Sequence, residues 1–126
     1  VVPTFRPDGV LDLLSPGWLQ AVTELGRLAG VFTDTYAGYI EALETRRRDF
    51  VALGARASDH GARSAYTTVL STKEAAAIYR RAVGGKGVSV AERDEFLGHM
   101  LVESARMSAE DGLVMQLHVG VERNHN

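Results

Sequence analysis

The chain contains no cysteine, which excludes disulfides and any thiolate metal site. That lack is compatible with a reducing compartment, and a cytoplasmic location is the expectation. A charge excess of either sign is also missing. Fourteen Lys and Arg against sixteen Asp and Glu leave a net charge of −2, which gives no electrostatic argument for nucleic acid or an acidic membrane as partner. No apolar run approaches the roughly 18 residues that a membrane span needs, and no secretory leader is visible. Proline is scarce, and Pro3, Pro7 and Pro16 each mark a local boundary.

What is present is ordinary for a folded protein. The 126 residues suit at most one domain, and a hydrophobic content of 45% allows a core. The chain opens on Val1, directly in an apolar segment, and so reads as an excised piece: a single partial domain over 1–126.

Val1 to Phe5 is short, β-branched and apolar, a strand pattern that tolerates Pro3 near its start. Arg6-Pro7-Asp8-Gly9 reads as a turn. Ser15-Pro16 predicts a helix start, a hydroxyl cap before proline, with Trp18, Val22, Leu25 and Ala29 inward and Gly30 as the stop. A second helix is expected from about Thr35 to Leu53, burying Tyr36, Tyr39, Ile40, Leu43, Phe50 and Val51. The run Arg46-Arg47-Arg48 lies within it beside Glu41 and Glu44 and reads as a solvated face. Ala55 to Gly61 reads as a second strand entering a polar loop.

Ser71-Thr72-Lys73-Glu74 and Ser89-Val90-Ala91-Glu92 are capping boxes, each opening a helix. The first helix stops at Gly84-Gly85. The Gly-Gly-Lys-Gly loop there lacks Walker spacing and follows a helix, against phosphate binding. The second buries Phe96, Leu97, Met100, Leu101 and Met107 and leaves His99 on the surface. Leu113 to Val119, bounded by Gly112 and Gly120, reads as a strand buried on both faces.

The predicted order is β-α-α-β-α-α-β, an α/β arrangement with long helical crossovers between parallel strands. Right-handed crossovers bring the three carboxyl ends to one edge, where chemistry gathers in such folds. That edge would collect Arg6 and Asp8, then Asp59 and His60, then His118 and Arg123.

Thr4-Phe5-Arg6-Pro7-Asp8, Ser58-Asp59-His60-Gly61 and Met115-Gln116-Leu117-His118-Val119-Gly120, closed by Arg123-Asn124, resemble the uronate isomerase family of the amidohydrolase superfamily. Each motif is weak alone; three in order are specific. The resemblance implies a (β/α)8 TIM-type barrel of which this chain is a middle section. It implies aldose–ketose isomerisation of D-glucuronate and D-galacturonate, a small-molecule uronate as partner, and a divalent metal, typically zinc, in the complete enzyme. By the same resemblance His118 and Asp59 match catalytic positions, and Arg123, Arg6 and His60 match substrate-binding ones. The family's His-x-His pair and metal-binding aspartate have no counterpart here, so no metal ligand is assigned in this chain, and alone it should be inactive. Gly9 and His125 stand where lysine and asparagine are usual. Two other readings remain open: an independent α/β binding module, and a metal-dependent hydrolase of the same superfamily. Three strands leave exposed edges, so a homo-oligomer is expected if the piece folds alone.

Overall fold

The computed structural model describes residues 3–62 and 67–119. Three helices lead to the first strand: α1 (Asp8–Leu11), α2 (Trp18–Ala29) and α3 (Tyr36–Ala52), then β1 (Ala57–Ala62). Two more, α4 (Thr72–Val83) and α5 (Val90–Asp111), lead to β2 (Val114–Val119). β1 and β2 pair in parallel, with Asp59 opposite Gln116 and Gly61 opposite His118. The N-terminal segment joins on the other side of β1 through one parallel bridge, Phe5 to Ser58. Its backbone bonds are Phe5 N–H to the Ala57 carbonyl (3.1 Å) and Asp59 N–H to the Phe5 carbonyl (2.7 Å).

The expected strand order is therefore present with a reduced first member. Among the described residues only Phe5 of that segment bridges the sheet, and Val1 and Val2 lie outside them. The expected turn at Arg6–Gly9 gives way to helix α1, which begins at Asp8. Ser15-Pro16 does not cap a helix. Trp18 N–H turns back to the Ser15 carbonyl (3.1 Å), and α2 starts behind a left-handed Gly17 with no side-chain cap. Ala55 donates its N–H to the Phe50 carbonyl (2.9 Å), finishing α3, so the strand begins two residues later than predicted.

Local start signals fare better where the chemistry is complete. Ser71 with Glu74, and Ser89 with Glu92, form both reciprocal bonds of a capping box and open α4 and α5. Left-handed glycines close α2 at Gly30 and α5 at Gly112.

The helices pack on an aromatic core. Tyr39 and Tyr79 lie 4.7 Å apart by ring centroids, with Trp18, Tyr36 and Phe96 around them. Burying these rings requires partners for their polar tips. Trp18 Nε1 and the Tyr39 hydroxyl both donate to the Val10 carbonyl, at 2.9 and 2.8 Å.

Four burial expectations are overturned. Arg47 is 1% exposed, whereas the arginine run was expected to be solvated. It follows Tyr39 and Leu43 at four-residue spacing on the buried stripe of α3, and its charge is held by Asp111. Val51, expected inward, is exposed in the last turn of α3. His99, expected on the surface, is buried against Tyr36. β2 is not buried on both faces either: Val114 is 63% exposed.

Candidate active-site face

Strand alternation sorts the ionisable residues onto two faces. Phe5, Ser58 and His60 lie on the helix side of the sheet. The Phe5 ring meets Phe50 of α3 edge-on at 5.2 Å, and Ser58 and His60 are fully buried. Arg6, Asp59 and His118 therefore share the opposite, open face. Asp59, on the middle strand, joins the other two: its Oδ2 lies 3.9 Å from Arg6 Nη1 and its Oδ1 lies 2.5 Å from His118 Nε2. Oδ1 is buried, and apart from the His118 ring no partner approaches it among the described residues. The short contact sets an imidazole nitrogen against a carboxylate oxygen, a pair able to share a proton. Asp59 is 20% exposed at its side chain, against 68% for His118. One partner is held by the sheet and the other stands in the open.

Asp8 closes the end of this face. Both its carboxylate oxygens accept the Gly61 N–H at 3.1 Å. A Cβ at Gly61 would lie 3.1 Å from Asp8 Oδ2, so a side chain there would crowd the contact.

His60 is not brought to that face. Its Nε2 contacts Ser58 Oγ at 2.9 Å, and its Nδ1 has no partner among the described residues. Burial, followed by the nearby Arg47 guanidinium, pushes its pKa below the ordinary histidine value, against weaker pulls from Asp8 and Asp59. It is a neutral imidazole behind the sheet. Arg123 lies outside the described residues.

Two residues outside the predicted edge also support the face. Arg47 of α3 and Asp111 of α5 pair behind it, with Nε to Oδ2 at 2.6 Å. No group of three or more His, Asp or Glu able to hold a metal ion occurs among the described residues. Asp59 and His118 offer two donors turned on each other, which is not a complete centre for a divalent ion.

Parallel strands linked by helical crossovers, with Asp59 within β1, His118 near the end of β2 and Arg6 just after the Phe5 bridge, define an α/β protein. Comparison with known proteins narrows this. The family model described as glucuronate isomerase matches residues 1–126, and the chain belongs to that family. It is 51% identical over 124 residues to a uronate isomerase of Nostoc punctiforme, covering 98% of this chain and 26% of that protein. It is 44% identical over 126 residues to one of Rhizobium meliloti, covering 100% and 27%. Among solved structures, glucuronate isomerase from Caulobacter crescentus superposes with a TM-score of 0.91 at 39% identity, over 100% of this chain and 26% of that one. Uronate isomerase from Thermotoga maritima gives 0.90 at 29% identity, over 94% and 26%. The resemblance carried by the three motifs is borne out. The chain spans about a quarter of the length of these relatives.

Proposed function

We propose that this chain is one section of a uronate isomerase and supplies part of its substrate pocket. The complete protein would interconvert D-glucuronate with D-fructuronate, and D-galacturonate with D-tagaturonate. The observation that carries this is the Asp59–His118 contact of 2.5 Å on an open face beside Arg6, in a chain of this family.

Aldose–ketose isomerisation moves a proton between C2 and C1 and a second one between the two oxygens, through an enediol. Asp59 is the group suited to accept a hydroxyl proton, because it brings a carboxylate to this face with an imidazole against it. His118 is suited to donate to, or steady charge on, the carbonyl oxygen, since imidazoles exchange protons near neutral pH. Arg6 stands 3.9 Å from Asp59, within reach of a sugar oxygen or carboxylate. Arg123 is proposed as the bidentate partner of the uronate carboxylate. His60, on the helix side, is given no substrate contact. The three bridged segments are proposed as consecutive strands of a (β/α)8 barrel, the whole working in the cytoplasm. A divalent ion, when bound in the complete enzyme, would polarise substrate oxygens, with ligands drawn from beyond the described residues.

The test is turnover of both uronates by the full-length protein, followed by NMR. Wild type should isomerise them, and Asp59→Asn should lose about 10²- to 10⁴-fold in kcat, the usual span for a proton-transfer group. Saturable sugar binding without turnover in wild type would instead favour a binding module.

A further inference from the structure

The rim residues stand on three separate segments, and one buried side chain touches the supports of all three. Arg47 reaches from α3 to the back of the sheet. Its guanidinium carbon lies 5.7 Å from the centroid of Phe5, the residue immediately before Arg6. The Phe5 carbonyl in turn accepts the N–H of Asp59 at 2.7 Å. The Arg47 fork donates to Asp111 through Nε (2.6 Å) and Nη2 (3.1 Å), and Nη2 also donates to Ser108 Oγ (2.8 Å). Asp111 Oδ1 accepts the N–H of Leu113 (3.0 Å), which fixes the entry of β2, the strand that ends in His118. The next amide, Val114 N–H, bonds to the Arg56 carbonyl (2.9 Å) and starts the pairing with β1.

We propose that Arg47 is a positioning residue for the Asp59–His118 face, a reading that rests on the proposed isomerase function. It touches neither substrate nor reacting atoms. It fixes Phe5, and through it Arg6 and Asp59, relative to Asp111, and through it β2 and His118. A hydrophobic residue could fill the same space but could not hold both supports at once. The charge is well held: burial would raise the Asp111 carboxyl, but the Arg47 hydrogen bond and the Leu113 amide outweigh it and keep it below the usual range. Arginine suits this place because its planar fork binds a carboxylate bidentately while a face stays free for the ring.

The test uses the full-length enzyme. Arg47→Met alone strands a buried carboxylate and can fail to fold. The informative variant is Arg47→Met combined with Asp111→Asn, which keeps an acceptor for Leu113 N–H and leaves no unpaired charge. Circular dichroism and a thermal melt establish its folded fraction. The expected result, per folded enzyme, is kcat lower by about a hundredfold and KM for D-glucuronate higher by about tenfold, as for reacting groups displaced by about 1 Å. A purely structural role leaves both kcat per folded enzyme and KM at the wild-type values, and that result overturns the proposal while leaving the isomerase reading intact. A wild-type enzyme that turns over neither uronate removes the isomerase reading and the proposal with it.

Discussion

His99 Nε2 lies 2.9 Å from the Tyr36 hydroxyl oxygen, joining α5 to α3 inside the helical layer. His99 Nδ1 accepts the Leu70 N–H at 3.3 Å, so the neutral ring carries its proton on Nε2 and donates it to Tyr36. A second proton, on Nδ1, would break the Leu70 bond. Burial lowers the His99 pKa, with Glu103 opposing, and His60 is lowered by burial and Arg47. Both folded-state values thus lie below the unfolded value of 6.5. Between them the unfolded chain binds more protons. The stability these groups contribute is complete above pH 6.5 and is lost as pH falls through the depressed values. Urea midpoints should therefore drop from pH 7.5 to pH 5, and His99→Gln should flatten that slope. An unchanged midpoint across the window would falsify the assignment.

His118 and Asp59 should behave as one unit. In the full-length enzyme, adding His118→Gln to Asp59→Asn should cost far less than the product of the two single losses, because groups that act together are non-additive. Independent, multiplicative losses in kcat would mean that the 2.5 Å contact has no role in turnover.

Gly38→Ala should destabilise although it improves helix propensity. Alanine in a helix is favoured over glycine by about 1 kcal/mol. Here, however, a Cβ would lie 2.0 Å from the Phe32 carbonyl oxygen, a backbone atom that cannot swing aside. The same turn carries the Thr35 cap, whose Oγ1 accepts the Gly38 N–H at 3.1 Å. Overpacking of this kind costs about 1–3 kcal/mol, so the net change should be a lower melting temperature. A rise on calorimetry would contradict the close contact.

The 126 residues expressed alone should self-associate. Leu117 and Val114 are exposed on β2, whose pairing among the described residues is with β1 alone. Such an edge invites further pairing. Light scattering should show a dimer or larger species, and charge introduced by Leu117→Lys should shift it toward monomer. A concentration-independent monomer would remove the expectation.

What was legible in the sequence was local. The capping boxes at Ser71 and Ser89 name both partners within four residues, and Gly112 announces the end of α5. Asp59 and His118 are legible because each sits in a short motif, although Asp59 lies within β1 and not in the loop after it. Contacts across the fold were not legible in the same way. His99 shows no partner in its own helix, since Tyr36 lies 63 residues away. Arg47 was hidden by its neighbours: three arginines in a row suggest solvent, although Tyr39, Leu43 and Arg47 keep the four-residue step of one buried stripe. His60 was placed with Asp59 because they are adjacent, yet adjacency in a strand means opposite faces. β2 reads as buried from its composition, but burial depends on what packs on its faces, which composition does not name.

The parallel pairing of β1 with β2 also sets an order of events. A parallel neighbour cannot be reached by a tight turn, so α4 and α5 must be traversed before β2 can meet β1. Both helices carry their own start signals and can form early, whereas closing the sheet waits on a distant segment. During synthesis from the N-terminus, Asp59 emerges long before His118, and β1 presents an open edge throughout that interval. The face proposed to carry the chemistry is completed only when β2 meets β1.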